Sequence, residues 1–240
     1  MKTLTLYGAL AVLVVSFSAQ ADDSVTVVIP DDDDRLALVT YPFTDANGQL
    51  VDINVAVGTS LAHQTLMFTW DSEELVYTSY FFDANGPFWR ETWDGPPATI
   101  QLAPGQGFWL RNPIGNPPQT LVFTGTAITA DTYAVEVKVP HAGGSLALLG
   151  FPYPAAVDFN EMGFTNMVNV GPFGDLLYRY DPNHEDDYEP YFYDAIGDFG
   201  GGWRLLEDPE ADGPHILNAG EGFWYGTKHG NGFIWQAIRP

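Results

Sequence analysis

The chain has 240 residues, no cysteine and a formal net charge of −22 at pH 7, from 31 acidic and 9 basic residues. The lack of cysteine excludes disulfides, thiolate metal sites and a cysteine nucleophile. The negative charge disfavours nucleic acid and anionic lipid as partners, because both would be repelled. A content of 45% hydrophobic and 15% aromatic residues indicates a packed globular protein with a solvating acidic surface; a surface that collects cations is the alternative.

Residues 1–21 have the order of charge and hydropathy that is typical of a secretory signal. Lys2 supplies the positive start, residues 4–17 form the apolar stretch, and Ala19-Gln20-Ala21 is a small-residue cleavage site. The apolar stretch is shorter than the ~20 residues that a spanning helix needs, and no later run approaches that length. The sequence therefore predicts a secreted or periplasmic protein that begins at Asp22 after cleavage near Ala21 and has no membrane span.

The remainder of the chain contains an internal repeat. Val25–Pro30 aligns with Val135–Pro140, and Leu36–Leu38 with Leu146–Leu148, at a constant offset of 110 residues. The offset then grows in small steps, as loop insertions would produce. Further aligned blocks are 66–71 with 176–181, 80–86 with 191–197, 89–90 with 203–204 and 102–109 with 217–224. The repeat predicts two modules, 22–131 and 132–240, with a boundary near Thr129–Thr132.

Within each module the residue pattern indicates strands. Apolar residues alternate with a period of two at the start of each module, as at Val25, Val27 and Ile29. Short β-branched or aromatic runs between turn residues follow at 66–70, 77–82, 108–110 and 121–124. At most, 49–62 and 158–168 could each hold a short helix. The predicted fold class is all-β: two tandem antiparallel β-sandwich or small-barrel modules related by internal duplication.

Three segments of the second module, in order along the chain, carry a resemblance to a known module. They are Leu148–Asp158, Tyr178–Asp181 and Ala219–Trp224, and the first module has Tyr41-Pro42, Phe68–Asp71 and Pro104–Trp109 in their places. This order resembles a module common in secreted and cell-surface bacterial proteins, in which a "GNPYP" segment precedes a "YxWD" strand and a "PGQGFFV" strand. The resemblance implies a β module with no catalytic residues to transfer. The usual Asn before Pro is replaced by Tyr41 and Phe151.

A Gly-x-Gly-Phe-Trp motif, 105–109 and 220–224, occurs once in each module. It lacks the third glycine and the helix of a dinucleotide site. The Phe and the Trp should point to opposite faces of a strand, so one aromatic fills the core, and the other either packs as well or lies exposed to stack on a sugar ring. The candidate ligand-binding aromatics are Trp89, Trp109, Trp203, Trp224, Tyr80 and Tyr191.

Aromatic residues also follow one another within single strands, as in Tyr80-Phe81-Phe82 and Tyr191-Phe192-Tyr193. Neighbours in a strand face opposite sides, so these rings cannot all enter one core. Some of them must lie at a seam between the modules, against a partner, or against a carbohydrate.

An acidic segment, Asp181–Glu189, could wrap a calcium ion with alternating oxygen ligands. The candidate ligands are Asp181, Asn183, Glu185 and Asp187. Asp186 stands where an EF-hand loop has glycine, so a solvated acidic loop is the competing interpretation. Asp71 and Asp181 each follow an aromatic strand, which predicts Asx turns. No other cofactor is required.

Motifs for catalysis are sparse. The five histidines show no zinc spacing, and no Gly-x-Ser-x-Gly elbow occurs. The sequence therefore favours an exported, non-catalytic binding or adhesion protein that contacts a neutral glycan or an extracellular protein through its aromatics. A structural or self-assembling envelope or matrix protein is the alternative, and a polysaccharide hydrolase with unassigned acids is a third. Because the repeat duplicates a scaffold, specific activity is expected where the copies differ, chiefly in 181–189 and 200–214.

Overall fold

The computed structural model describes residues 24–31, 36–58, 60–139, 145–164, 175–211, 213–227 and 232–240. The predicted signal segment, residues 1–21, lies outside these ranges. Within them the chain is all-β, as predicted, with a single four-residue helix. None of the described helical residues forms a segment long and apolar enough to cross a membrane.

The first half of the chain contributes eleven strands and the helical turn. They are β1 (Ser24–Ile29), β2 (Leu36–Thr40), β3 (Phe43–Thr44), β4 (Val51–Asp52), α1 (Ile53–Ala56), β5 (Leu66–Asp71), β6 (Val76–Asp83), β7 (Phe88–Arg90), β8 (Gln101–Leu102), β9 (Gly107–Arg111), β10 (Gln119–Thr124) and β11 (Thr126–Ala127). The four runs predicted from short apolar segments fall within β5, β6, β9 and β10.

The second half contributes nine strands within the described ranges. They are β12 (Thr132–Val137), β13 (Ser145–Gly150), β14 (Val157–Asp158), β15 (Leu176–Tyr180), β16 (Tyr188–Asp194), β17 (Gly202–Leu205), β18 (Ile216–Leu217), β19 (Gly222–Thr227) and β20 (Phe233–Ile238). The predicted module boundary falls between β11 and β12.

Two five-stranded antiparallel sheets dominate the molecule. Their strand orders are β2-β9-β5-β6-β7 and β13-β19-β15-β16-β17. Two-stranded sheets accompany them, pairing β1 with β10 and β4 with β8 in the first half, and β12 with β20 and β14 with β18 in the second. The strands that align in the sequence repeat take the same places in the two large sheets. The arrangement is consistent with two β-sandwich modules.

Burial follows the alternation that the sequence predicts. Val25 and Ile29 of β1 are buried, and in β10 Leu121 and Phe123 are buried while Val122 is exposed. The buried residues form two separate cores, one drawn from residues 25–123 and the other from 135–237. Trp89 and Trp203 fill equivalent places in these cores, and their backbone N–H groups donate to Asn54 and Asn160 at 2.8 and 2.6 Å. Each predicted module therefore has a hydrophobic core of its own.

Of the two segments that could each hold a short helix, the first contains one. In 49–62 the helix covers only Ile53–Ala56, capped by the Asp52 side chain, which accepts a hydrogen bond from the Asn54 N–H. In 158–168 the described part has no helix, because Asp158 pairs with Ile216 as a strand and its carboxylate turns the chain by accepting from the Asn160 N–H at 2.8 Å. Residues 165–168 lie outside the described ranges.

The turn between β16 and β17 is built around the buried carboxylate of Asp194. It accepts backbone N–H groups from Gly197, Phe199 and Gly201 at 3.0, 2.8 and 2.9 Å. Burial alone would raise the pKa of Asp194, but the backbone hydrogen bonds outweigh it and lower the pKa below its ordinary value. The ionised carboxylate therefore organises this turn.

An Asp194→Asn variant should lose about 2 to 4 kcal/mol of unfolding free energy at pH 7, since an amide cannot accept all three N–H groups. The folded pKa is lowered, so the stabilisation is complete above the unfolded pKa of about 3.9 and disappears as pH falls through the folded pKa. Urea denaturation between pH 2 and 7 measures this. Asp198→Asn in the same turn is the control, and an Asp194→Asn deficit that does not shrink in acid would contradict the assignment.

Candidate functional site

The six aromatics predicted to bind a ligand lie mostly inside the molecule. None of Trp89, Trp109, Trp203 and Trp224 exposes more than 7% of its surface, and Tyr191 exposes 4%. Tyr80 is half-buried against the first core. Of the two alternatives for the second aromatic of each Phe-Trp pair, packing is the one observed: Phe108 and Phe223 enter the module cores, while the tryptophans pack between the modules.

The tryptophans of the two motifs pack in a seam between the two large sheets. The buried residues of this seam are Leu38, Trp109, Leu148 and Trp224, with further aromatic rings around them. The Trp70 ring meets Trp224 edge-on at 5.4 Å, and Tyr180 meets Trp109 edge-on at 5.1 Å. These edge-to-face contacts are favourable beyond the area they bury. The consecutive aromatics 80–82 and 191–193 are not among the rings of this seam, and of these Phe82 and Tyr191 are buried in the two module cores.

Contacts across the seam are reciprocal. The Trp70 Nε1–H donates to the Leu146 carbonyl at 2.8 Å, and the Leu36 N–H donates to the Tyr180 hydroxyl at 3.5 Å. Trp70 aligns with Tyr180 in the repeat, and Leu36 aligns with Leu146. Each half therefore presents the same positions to the other, as in an isologous interface between two subunits.

Two docking loops, Ala103–Gln106 and Asn218–Glu221, close the seam in the same reciprocal manner. The Gly150 N–H donates to the Gly105 carbonyl at 3.0 Å, and the Thr40 N–H donates to the Gly220 carbonyl at 2.9 Å. Both glycines have a positive φ, of +90° at Gly105 and +78° at Gly220. Sequence reasoning missed the close approach: a Cβ on Gly105 would lie 2.6 Å from Val135, and one on Gly220 would lie 2.5 Å from Val25.

An ion network in the second half involves Arg179, Glu189 and Glu221. The Arg179 guanidinium donates to Glu221 at 2.8 Å and to Glu189 at 3.2 Å, and the Tyr191 hydroxyl donates to Glu189 at 3.0 Å. Burial would lower the pKa of Arg179, but the two carboxylates raise it overall. Burial, and then the charge of Glu189, raise the pKa of Tyr191. Both carboxylates are thus engaged by a fixed cation.

The acidic loop between β15 and β16 is closed by its own hydrogen bonds. The Asp181 carboxylate accepts from the Asn183 N–H at 2.9 Å and from its side-chain amide at 3.1 Å, which confirms the predicted Asx turn. The Asp181 N–H donates to the Asp187 carbonyl at 3.0 Å. Across the described ranges, no three His, Asp or Glu side chains are grouped so that they could hold a metal ion. Calcium binding by Asp181, Asn183, Glu185 and Asp187 stays a prediction from the sequence.

One tryptophan outside the predicted set is exposed. Trp93 exposes 60% of its surface, and its ring stacks on Phe81 with centroids 5.0 Å apart and planes 20° apart. The His63 ring meets it edge-on at 5.8 Å. We call Trp93, Phe81 and His63 the Trp93 platform. The sequence contained a signal for this site: Trp93 aligns with Glu207, so it has no aromatic counterpart in the repeat and does not belong to the shared scaffold.

Polar groups anchor the platform to the sheet. His63 lies 3.7 Å from the Asp83 carboxylate, and its Nδ1 accepts from the Ala84 N–H at 3.2 Å. The Arg90 Nε–H donates to Asp83 at 2.9 Å. Burial raises the pKa of Asp83, but hydrogen bonds from Arg90 and the backbone, together with the nearby positive charge, lower it overall. The platform is thus an aromatic surface bordered by a paired, ionised carboxylate.

No protein-family model matches this chain, and neither a curated protein nor a solved structure does. The resemblance to the secreted bacterial module, which rests on short segments such as Ala219–Trp224, therefore stays a prediction. Function has to be argued from the geometry of the chain itself.

Proposed function

We propose that this chain is an exported, non-catalytic binding protein that takes a neutral glycan on the Trp93 platform. The observation that carries the proposal is the exposed Trp93 ring, supported from beneath by Phe81. Phe81 stacks against the indole, and 60% of the Trp93 surface remains exposed. A flat, supported ring of this kind is suited to stacking on the apolar face of a sugar.

Charge favours a neutral ligand. The chain carries a net charge of −22, and Glu91 and Asp94 flank Trp93 in sequence. An anionic ligand would be repelled by this field. A neutral sugar is not repelled by this field, and its hydroxyl groups can donate hydrogen bonds to nearby carboxylates.

Four carboxyls do not behave as the general acid of a glycosidase. A glycosidase needs one carboxylic acid whose pKa is raised so that it can protonate the leaving group. Here the pKa values of Asp45, Asp71, Asp83 and Asp194 are all lowered: backbone hydrogen bonds are the main cause at Asp45 and Asp71, and at Asp83 and Asp194 hydrogen bonds outweigh the effect of burial. A hydrolase would need a different carboxyl as its general acid, and hydrolysis of any substrate in a polysaccharide panel would show that such a residue exists.

The assembly alternative cannot use the tryptophans of the seam. Self-association through the aromatic sheet faces would need the rings of Trp109 and Trp224, which the seam already buries within one chain. A second copy of this chain would have to bind through other surfaces. Analytical ultracentrifugation at high concentration distinguishes this alternative, which predicts oligomers.

Trp93→Ala should weaken binding to neutral polysaccharides about 10-fold or more, equivalent to about 1.4 kcal/mol, because the stacking surface is removed. Affinity electrophoresis through gels that contain cellulose derivatives, glucans or mannans measures this. Phe88→Ala, at another exposed aromatic, is the matched control and should bind like the wild type. A wild-type protein that binds none of these polymers, or a Trp93→Ala variant that binds them equally well, would refute the proposal.

A further inference from the structure

A groove of about 460 Å³ lies between the two halves, away from the Trp93 platform. Its floor includes Thr69 of β5 and Thr78 of β6. The docking loop 103–106 of the first half also lines the groove, as do Tyr133–Glu136 and Lys138, in and after β12 of the second half. A volume of this size lies within the range of sites that enclose small molecules.

The strand register identifies the equivalent position in the second half. Thr69 pairs with Phe108 on β9 and with Thr78 on β6. Arg179 pairs in the same way with Phe223 on β19 and with Glu189 on β16. The floor of the groove therefore corresponds to the positions of Arg179 and Glu189.

The docking loops complete the correspondence. Gln106 bridges to Leu149 across the seam, and Glu221 bridges to Val39 in the reciprocal position. Thr69, Thr78 and Gln106 thus stand where the second half has Arg179, Glu189 and Glu221. In the second half these three side chains join in the ion network, whereas in the first half two shorter threonines and a neutral glutamine line an open space.

The groups on the floor are suited to a neutral ligand. Threonine hydroxyls and a glutamine amide both donate and accept hydrogen bonds, as sugar hydroxyls do. Beside these groups, burial, followed by the charge of Glu91, raises the pKa of Tyr80, and the Thr69 and Thr78 hydroxyls partly offset that rise. No charged side chain takes the place of Arg179 on this floor, so a fixed ionic partner for an anion or a cation is missing there.

The rim carries the charged groups. Glu136 lies on β12, and Lys138 pairs with Glu73 across the groove at 3.8 Å. The lysine is thus already engaged by a carboxylate, and the two remaining acids of the lining, Asp71 and Glu136, repel anions. Carboxylates at a rim accept hydrogen bonds from ligand hydroxyls.

We propose that this groove is a second binding site, for a neutral polyhydroxylated ligand of one or two sugar rings. Thr69, Thr78 and Gln106 would bond its hydroxyls, and Tyr133 would form an aromatic wall. The choice of sugar as the ligand class rests on the proposed function, but the site shares no residue with the Trp93 platform. Binding at the groove and binding at the Trp93 platform can therefore be tested independently.

The decisive variant introduces into the groove the side-chain types that form the ion network in the second half. Thr69→Arg, Thr78→Glu and Gln106→Glu together recreate the side chains that the second half accommodates at these positions. In ¹H–¹⁵N NMR titrations with cellobiose, maltose and lactose, the wild type should show saturable shifts at the amides of Thr69, Thr78, Gln106 and Tyr133. The triple variant should bind at least 10-fold more weakly, with its other amide resonances preserved.

Two controls make the result decisive. Trp93→Ala should keep the groove shifts, which separates failure of the platform from failure of the groove. If the triple variant does not fold, Thr69→Val with Thr78→Val keeps the volume but removes two hydroxyls, and it should weaken binding several-fold. The proposal is overturned if tens of millimolar disaccharide shifts no groove amide, if shifts occur only around Trp93, or if the variants bind like the wild type.

Discussion

Replacement of Trp224 by alanine is expected to lower the free energy of unfolding by about 3 to 5 kcal/mol. Trp224 is 7% exposed and lies in the middle of the seam, where its ring contacts Trp70 at 5.4 Å and Tyr77 at 6.4 Å. Removing the indole leaves a cavity that rigid sheets on both sides cannot close. The loss therefore combines the transfer of apolar surface with the cost of the cavity.

Urea denaturation followed by far-UV circular dichroism measures this loss. Trp93→Ala is the matched control, since it deletes the same side chain from a site that is 60% exposed. That control should change stability by about 1 kcal/mol or less. Equal losses in the two variants would mean that the seam does not contribute as its burial implies.

Gly105→Ala is expected to cost about 2 to 5 kcal/mol, for two separable reasons. Gly105 has a φ of +90°, which an L-residue with a Cβ adopts only with strain, and the added Cβ would lie 2.6 and 2.9 Å from the two methyl groups of Val135. The docking loop would have to withdraw, and the hydrogen bond from the Gly150 N–H to the Gly105 carbonyl would weaken.

A second glycine separates these two causes. Gly48 also has a positive φ, of +76°, but an added Cβ there meets nothing within 4 Å. Gly48→Ala should therefore show the backbone strain alone, about 1 to 2 kcal/mol. Gly105→Ala combined with Val135→Ala should recover part of the steric cost, which a double-mutant cycle detects as non-additivity. Strictly additive losses would show that the docking loop does not press on Val135.

Several features could be predicted from the sequence because they depend on local chemistry. Alternation along β10 places Leu121 and Phe123 inside and Val122 outside, since neighbouring side chains in a strand face opposite sides. Asp181 forms an Asx turn because its carboxylate reaches the backbone two residues later. The described part of 158–168, where the sequence allowed a short helix, forms none, because pairing with β18, a non-local contact, competes with local preference.

The candidate sites depended on contacts that no local pattern contains. Trp109 and Trp93 are both tryptophans in an aromatic-rich module, yet one lies beneath the opposite sheet and the other faces solvent. A strand with aromatics on both faces implies only that each face either packs against another part of the protein or binds a partner. Which face the second module covers is decided by how the two large sheets pack.

The sequence by itself determined the all-β class, the positions of most long strands, the repeated blocks and the glycine turns, because these follow from periodicity and turn chemistry within a few residues. Only the tertiary structure decided that Trp109 and Trp224 close a reciprocal seam, that Trp93 remains exposed, and that Thr69, Thr78 and Gln106 meet around a groove. Those three residues come from separate segments, and strand pairing and sheet packing bring them together. The physical reason is that side-chain environment is set by non-local packing, whereas strand formation is set largely by local pattern.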